Sequence, residues 1–194
     1  MRILVVGATG TIGRAVADAL AARHEVVRAS RSSEVSVDIT RPESIRAMYR
    51  KLGRVDAVVS CAGSGVMKPL PELSDEDFQA TLGDKLMGQV NLVRYGIDHV
   101  DDGGSFLLTA GIFSKDPLPG ASALALVNGG LECFARGAAL DLPRGIRINT
   151  ISPPFMAETA RAWGLPGGIP AAENAKAYVA LVEGTQTGQV VFNG

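Results

Sequence analysis

Short apolar runs alternate with amphipathic stretches along the whole chain. After Arg2, residues 3–6 form a continuous apolar run, which is typical of a parallel strand buried on both faces. Behind it, Ile12, Val16 and Leu20 recur at helical spacing. The same alternation continues to a last predicted strand at 189–192. Strands that alternate with helices in this way predict a parallel sheet with helices on both faces.

The pattern also predicts where the individual elements lie. Seven strands are expected at 2–6, 25–29, 35–38, 55–60, 105–109, 146–151 and 189–192. After a first helix behind residue 11, further helices are expected at 42–52, 74–100, 121–142 and 171–182. Ser74 is the predicted N-cap of the third helix, with Asp77 three residues on, and Gly103-Gly104 is predicted to end it. With right-handed crossovers, this is a doubly wound α/β fold of Rossmann type, with three layers (α/β/α) and strand order 3-2-1-4-5-6-7.

Composition favours one globular domain over residues 1–194. Hydrophobic residues make up 46% of the chain, charged residues 20%, and the net charge is -1. No dense basic run points to nucleic acid or an anionic membrane. No apolar run has the length of a signal peptide or a membrane span, and Cys61 and Cys133 do not suggest a disulfide framework. We therefore expect a cytoplasmic protein without nucleic-acid or membrane partners. His24 and His99 are too isolated to predict a metal site.

A glycine-rich loop between the first strand and the first helix is the clearest motif. It reads Gly7-Ala8-Thr9-Gly10-Thr11-Ile12-Gly13. Glycines allow a tight turn and a close approach to a pyrophosphate, and the following helix N-terminus offers free N–H groups. Glycine-rich turns also occur for packing reasons, but this position in an alternating chain favours dinucleotide binding. The predicted cofactor-binding residues of the loop are Gly7, Thr9, Gly10, Thr11, Ile12 and Gly13.

The end of the second predicted strand favours NADP over NAD. An acidic residue there would bind the ribose 2′-OH of NAD, whereas an arginine accommodates the 2′-phosphate of NADP. This chain has Ser30 and Arg31 at that place and no carboxylate until Glu34. A solvated turn is the alternative interpretation, since arginine and serine are common in such turns. The phosphate preference of a guanidinium favours NADP.

With these motifs, the chain resembles the short-chain dehydrogenase/reductase family over nearly its whole length. The further matching segments are Asp38-Ile39, Ser60-Cys61-Ala62-Gly63, residues 143–149 with Ile151-Ser152-Pro153, and Thr187-Gly188-Gln189. The resemblance implies an NADP-dependent oxidoreductase. It adds Asp38, Ile39, Cys61, Ala62, Gly63 and Pro153 to the expected cofactor-binding residues.

The chain departs from the family at the residues that carry the chemistry. Where the family has a tyrosine and, four residues later, a lysine, alignment places Leu124 and Asn128. Gly111 stands at the position of the serine that polarises the substrate oxygen, and Lys85 at the position of an asparagine. No change of alignment restores the pair, because none of the three tyrosines in the sequence is followed by a lysine four residues on.

Three residues are therefore the catalytic candidates. Lys85 is expected beside the nicotinamide pocket, where desolvation would lower its pKa enough for proton transfer; the alternative is a snorkelling side chain. Asn128 interrupts an apolar stripe, and a bound nicotinamide ribose or a backbone group is expected to supply its hydrogen-bond partner. Thr109 is predicted to share a strand face with Gly111, where its hydroxyl would partly replace the serine, although a strand threonine usually just packs.

Two functions follow from these residues. The first is an NADP-dependent oxidoreductase acting on a small carbonyl or alcohol substrate, with an atypical proton donor. The second is a non-catalytic NADP-binding regulatory or sensor protein of the same fold. The short segment 154–172 is the predicted substrate lid, and it implies a shallow, open pocket. By resemblance, a homodimer or homotetramer is expected through the two long helices, with Arg94, Cys133 and Arg136 near the interface.

Overall fold

A seven-stranded parallel sheet forms the centre of the molecule in a computed structural model that describes residues 1–162, 164 and 166–192. The strands are β1 (Arg2–Val6), β2 (Glu25–Ser30), β3 (Val35–Ser36), β4 (Val55–Ser60), β5 (Val100–Thr109), β6 (Arg147–Ser152) and β7 (Val190–Phe192). Their order in the sheet is β3-β2-β1-β4-β5-β6-β7, so the predicted fold class and strand order are confirmed. Residues 163 and 165 of the predicted lid and the last two residues of the predicted domain lie outside the described residues.

Helices cover both faces of the sheet. They are α1 (Thr11–Ala21), α2 (Pro42–Leu52), α3 (Asp75–Thr81), α4 (Gly88–Gly96), α5 (Ser122–Asp141), α6 (Ala157–Ala162) and α7 (Ala171–Glu183). α1 and α7 pack on one face, whereas α2, α4 and α5 pack on the other. In the described part of the chain, no helix combines the length and apolar character needed to cross a membrane.

β1 shows why its sequence is apolar without alternation. Ile3 and Val5 pack into the core beneath α1 and α7, while Leu4 and Val6 pack into the core on the opposite face. All four side chains are almost completely buried. A central parallel strand between two helical layers therefore has no face left for polar residues.

The prediction that the third helix extends to Val100 and ends at Gly103-Gly104 is wrong. The helix ends at Gly96, a short 3₁₀ turn follows, and Val100 already begins β5. The two glycines lie in an irregular part of β5, where the pairing with β4 shifts. A side chain at Gly104 would place its Cβ 2.4 Å from the Asp56 carbonyl oxygen, so the close approach of the strands requires glycine there.

A π-helical turn at Leu82–Met87 also interrupts the predicted regular helix. Ser74 caps the start of α3, and a capping box with Asp77 is formed as predicted. The π turn then inserts an extra residue into the helical repeat before α4 begins, so the apolar stripe does not continue at a constant spacing. Such turns occur frequently at functional sites. Lys85 lies within this turn.

Candidate functional site

Two neighbouring cavities lie at the carboxyl ends of the central strands, where doubly wound folds bind ligands. The first is a cleft of about 330 Å³ between the loops that follow β1, β2 and β4. The structure brings the following predicted cofactor residues together around this cleft: Gly7, Thr9, Gly10, Ser30, Arg31, Asp38, Ile39, Cys61, Ala62 and Gly63. Sequence reasoning missed four other polar residues that line it: Ser32, Thr40, Ser64 and Asp84.

The glycine loop is shaped by contacts that exclude a side chain. Gly7 has φ +83°, and a Cβ there would lie 2.8 Å from the Ala62 backbone nitrogen. At Gly13, inside the first turn of α1, a Cβ would lie 2.1 Å from the Gly7 carbonyl oxygen. The loop therefore folds directly onto the start of α1. This geometry presents the helix N-terminus to the cleft, as required for binding a phosphate group.

The far end of the cleft carries Arg31 and a group of hydroxyls. Ser30 Oγ lies 2.7 Å from Ser33 Oγ and accepts a hydrogen bond from the Ser32 backbone N–H. Arg31 is exposed at the cleft, and its guanidinium has no ion pair with any described residue. The Arg31 charge contributes to lowering the pKa of the Asp38 carboxyl in the same cleft, but no salt bridge among the described residues engages the guanidinium. An exposed guanidinium next to hydroxyls is a suitable binding site for an additional phosphate group.

Asp38 keeps a negative charge in the same cleft. Hydrogen bonds from Thr40, the side-chain bond first among them, hold the pKa of the Asp38 carboxyl below its usual range. The Thr40 hydroxyl donates to Asp38 Oδ1 at 2.7 Å, and the Thr40 backbone N–H donates to the same oxygen at 3.0 Å. Asp38 is therefore an acceptor for hydroxyl or amino groups of a ligand.

The second cavity, of about 180 Å³, lies next to the first, between α5, the π turn and the segments after β5 and β6. Apolar residues form most of its wall: Ile12, Ile112, Phe113, Leu124, Pro153, Pro154, Phe155 and Met156. The polar side chains on the wall are Lys85, Asn128 and Thr159, among the residues that the structure describes. The predicted cofactor residues Ile12 and Pro153 therefore lie here, whereas Thr11, which begins α1, lines neither cavity.

Lys85 reaches the second cavity from the π turn. Its Nζ donates a hydrogen bond to the Ala110 carbonyl oxygen at 2.9 Å. Desolvation lowers the pKa of the Lys85 ammonium to about 8, and the neighbouring Asp84 carboxylate partly opposes this shift. A lysine with this pKa can both donate and accept a proton near neutral pH.

Gly63 makes room for Lys85. A Cβ at Gly63, which has φ +121°, would lie 3.0 Å from Lys85 Cα and 3.2 Å from Lys85 Cγ. The loop after β4, which also lines the cofactor cleft, therefore packs directly against the lysine stem. This contact connects the two cavities.

Gln89, which sequence reasoning missed, ties the start of α4 to the end of β5. Its Nε2 donates to the Thr109 carbonyl oxygen at 2.9 Å, and its Oε1 accepts from the Thr109 backbone N–H at 3.0 Å. The side chain is fully buried. Because Ala110, the acceptor for Lys85, follows Thr109 directly, Gln89 fixes the backbone on which the lysine rests. Its position one helical turn after Lys85 is the signal that the sequence offers.

Asn128 projects from α5 into the second cavity. The residue is 2% exposed, and its Oδ1 has no hydrogen-bond partner among the described residues. Its Nδ2 lies beside Gly111, at 3.0 Å from the position of an ideal Cβ there. A buried amide without a partner costs about 1–3 kcal/mol, so a bound ligand is the natural partner for this one.

Thr109 is not brought to the second cavity. β5 ends at Thr109, so strand alternation does not extend to Gly111, and the prediction that the two share a face is wrong. The Thr109 hydroxyl donates to the Ser60 carbonyl oxygen at 2.6 Å and lies 3.0 Å from the Tyr178 hydroxyl on α7. Gly111 instead faces Asn128 on α5, which covers the opposite side of the sheet. A catalytic role for Thr109 stays a prediction without geometric support.

Glu132, one turn after Asn128 on α5, joins the two loops that frame the second cavity. Its Oε1 accepts hydrogen bonds from Ser114 Oγ at 2.5 Å and Ser152 Oγ at 2.6 Å. The residue is 7% exposed. Sequence reasoning missed this buried carboxylate, because a glutamate within a long helix is usually exposed.

The consecutive glycines of α5 have different surroundings. A Cβ at Gly130 would lie 3.1 Å from Leu86 Cδ1, so this glycine serves the close packing of α5 against the π turn. A Cβ at Gly129 would meet no described atom within 4 Å. Of the two glycines, only Gly130 therefore serves a close approach to a neighbouring segment.

Comparisons with known proteins agree with this geometry. A family model described as enoyl-(acyl carrier protein) reductase matches residues 11–190. Among curated proteins, hydroxynaphthalene reductase arp2 of Aspergillus fumigatus is 34% identical over 110 residues, which cover 56% of this chain and 40% of that protein. The chain spans half the length or less of the first curated relatives that it matches.

Solved structures match over the whole chain. The crystal structure of a Listeria innocua protein is 44% identical, has a TM-score of 0.97, and each chain covers 100% of the other. A small-chain dehydrogenase crystallised in complex with NADPH has a TM-score of 0.89 at 24% identity, with coverage of 100% of this chain and 96% of that one. At this identity, the second likeness shows the fold alone.

Proposed function

The chain belongs to the short-chain dehydrogenase/reductase family, and from this premise we propose that it is an NADP-dependent oxidoreductase that uses Lys85 as its proton donor. The substrate of the proposed reaction is a small carbonyl compound or the corresponding alcohol. The observation that carries the proposal is the position of Lys85: its Nζ lines a small apolar cavity directly beside the dinucleotide cleft.

The residues of the first cleft fit a dinucleotide with a 2′-phosphate. The glycine contacts at the start of α1 leave a cradle that a Cβ would fill. Arg31, without an ion pair among the described residues, supplies a cation for the additional phosphate. A relative in fold was crystallised with NADPH, which supports the same cofactor here. When bound, NADPH supplies the hydride that reduces the carbonyl carbon.

In the proposed mechanism, Lys85 supplies the proton for the developing alkoxide. The ammonium on Nζ gives up one proton to the substrate oxygen and becomes a neutral amine. The Ala110 carbonyl holds Nζ at the cavity wall, and the packing of Gly63 against the lysine stem restricts its movement. The apolar wall lowers the local dielectric constant beside the reacting oxygen, which strengthens its attraction to the ammonium. Solvent returns the proton to Lys85 after each turnover.

The test of this function is NADPH oxidation across a panel of small carbonyl compounds, with the corresponding alcohols and NADP⁺ for the reverse reaction. Mass spectrometry of ligands released from the purified protein adds an independent readout. We expect saturable turnover with at least one apolar carbonyl compound. Tight NADPH binding without turnover on any compound would contradict the proposed reaction and favour a regulatory NADP-binding protein.

The cofactor preference is expected to depend on Arg31. In the parent protein, NADPH should bind more tightly than NADH, and Arg31→Glu should narrow or reverse the difference, since a carboxylate repels the 2′-phosphate. An effect of about tenfold corresponds to 1.4 kcal/mol, which is in the range of one charge-assisted hydrogen bond. Fluorescence titration with both dinucleotides measures it. Equal affinities in the parent protein would rule out the preference, and Arg50→Glu serves as the matched control, because Arg50 is exposed and lines neither cavity.

The rate of reduction is expected to fall as pH rises through about 8, where Lys85 titrates. Reduction needs the protonated lysine, so kcat/KM should be flat below this pKa and decline above it. Oxidation of the alcohol needs the neutral amine, so its kcat/KM should rise with pH and level off above the same pKa. Profiles of kcat/KM in both directions check the sign, because this parameter reports groups of the free enzyme. Lys85→Arg should lose this inflection; an unchanged profile in that variant would assign the pKa to another group.

Two further expectations remain part of the proposal. The segment 154–172 is the proposed lid, and its described residues Pro154, Phe155 and Met156 form part of the cavity wall. A homodimer or homotetramer through α3–α4 and α5 stays a prediction. Its support is the large apolar side chain of Leu140 on α5, which is 88% exposed.

A further inference from the structure

The second cavity contains a buried amide, that of Asn128, for which the proposed role of Lys85 gives no reason. It is buried at the cavity wall, and no hydrogen bond of the described residues involves its side chain. Its Oδ1 is a buried acceptor without a partner, and its Nδ2 donates to no described residue. A ligand oxygen can accept a hydrogen bond from Nδ2, whereas only a hydrogen-bond donor can satisfy Oδ1.

Three hydroxyl groups near the cavity are already engaged in hydrogen bonds within the protein. Ser114 and Ser152 both donate to Glu132, and Thr109 donates to the Ser60 carbonyl oxygen. None of them is therefore available to hold the oxygen of a substrate. Thr159 on α6 is different: its hydroxyl lines the cavity and has no hydrogen bond to a described residue, so a ligand can reach it.

Gly111 and the Asn128 amide compete for the same space. An ideal Cβ at Gly111 would lie 3.0 Å from Nδ2, and the next nearest atoms are Cγ and Oδ1 of the same amide, both at 3.6 Å. The backbone of Gly111 is extended, with φ 160° and ψ 159°, so its conformation does not itself demand glycine. The Asn128 amide therefore lies next to the space that a side chain at position 111 would occupy.

We propose that Asn128 is a further catalytic residue, whose Nδ2 donates a hydrogen bond to the substrate oxygen, and that Gly111 is needed to leave the amide in place. This inference rests on the proposed function, and it deepens the substrate class. The oxygen is held between the Asn128 amide and Lys85 Nζ, and the carbon skeleton packs against Leu124, Phe113 and Phe155. Lys85 is the only charged side chain among the described lining residues, and the proposed mechanism directs its charge to the reacting oxygen. Because the rest of the wall is mostly apolar, the substrate is an uncharged carbonyl compound with an apolar skeleton.

A double-mutant cycle of Asn128→Ala and Gly111→Ser tests the inference. Asn128→Ala should lower kcat/KM for the carbonyl compound by about 10²-fold, the typical effect of losing one donor to a developing oxyanion. The dissociation constant for NADPH should change less than about threefold, a small difference on the affinity scale. Gly111→Ser alone should also lower kcat/KM, since its side chain displaces the amide. In the double variant, the serine hydroxyl occupies the vacated space, so activity should exceed that of Asn128→Ala by about tenfold.

Thermal unfolding of the proteins without ligands adds a readout that does not depend on turnover. Gly111→Ser should destabilise the parent protein more than it destabilises Asn128→Ala, because the clash needs the amide. Asn128→Leu, which keeps the volume, should not lower the melting temperature but should lose activity as Asn128→Ala does. Gly129→Ala, next in sequence and outside the cavity, is the matched control and should leave kinetics unchanged.

The outcomes separate this inference from the function on which it rests. Absence of turnover in the parent protein would overturn both. Turnover with independent effects of the two substitutions would overturn the inference alone. Asn128→Ala that weakens NADPH binding and leaves the KM and kcat for the carbonyl compound unchanged would assign the amide to the cofactor instead, and would equally overturn it.

Discussion

Replacing Lys85 by alanine is expected to reduce turnover by about 10²- to 10⁴-fold, the usual contribution of a positioned proton donor. The lysine is held at the cavity wall by the Ala110 carbonyl, and among the described residues no other titratable side chain lines that cavity. Binding of NADPH should largely survive, because the dinucleotide cleft is formed by other residues. Steady-state kinetics and fluorescence titration of the same preparation separate the two effects.

Two variants make the Lys85 experiment decisive. Lys85→Met keeps much of the side-chain volume and removes a desolvated charge, so it should be at least as stable as the parent protein while losing activity. Lys176→Ala is the control for loss of a lysine, since that side chain is 72% exposed and pairs with Glu173 on α7. An unchanged kcat in Lys85→Ala would remove Lys85 from the mechanism.

The fold was predictable because its signals are local. The apolar run of β1, the helical period behind it and the capping box at Ser74 each occupy a few consecutive residues. The glycine loop is equally compact, and its place between β1 and α1 follows from the order of residues. These features need no knowledge of distant partners, so periodicity and turn chemistry are sufficient.

The departures depend on contacts between segments far apart in the sequence. Gly104 looks like a helix terminator, but the Asp56 carbonyl on the neighbouring strand gives it a place inside β5. Thr109 was placed by strand alternation, and the strand ends at that residue. In both cases, a rule for local sequence was applied to residues that lie outside the element it describes.

The candidate site was predictable only in part, because some of its features are contacts between different elements. Alignment placed Lys85 and Asn128 in one pocket, and both line the same cavity. The contact between Gly111 and the Asn128 amide, the support from Gln89 and the bridge at Glu132 join different elements. The sequence gives the identity of each of these residues but not which of them are in contact. Only the packing shows that the Asn128 amide lies where a side chain at position 111 would be.

Replacing Gly13 by alanine is expected to disrupt the cofactor site strongly, because the glycine loop leaves no room for the added methyl group. The added Cβ would lie 2.1 Å from the Gly7 carbonyl oxygen and 2.7 Å from the Gly7 carbonyl carbon. Both are backbone atoms, so relief requires a shift of the loop or of α1. Overpacking of this kind typically costs about 1–3 kcal/mol. Because the cost falls on the conformation that binds the dinucleotide, NADPH affinity should fall by about 5- to 100-fold.

Matched glycine variants distinguish this steric effect from a general loss of glycine. A Cβ at Gly10 would lie 3.4 Å from the Gly7 oxygen, an ordinary contact, so Gly10→Ala should fold like the parent protein. Gly129→Ala, in the interior of α5, should be more stable by about 0.5–1 kcal/mol, since alanine favours helix. Thermal unfolding with and without NADPH measures both terms. The prediction is contradicted if Gly13→Ala has the same melting temperature as Gly10→Ala and the same NADPH affinity as the parent protein. In that case, the contact between Gly13 and the Gly7 carbonyl does not determine the shape of the loop.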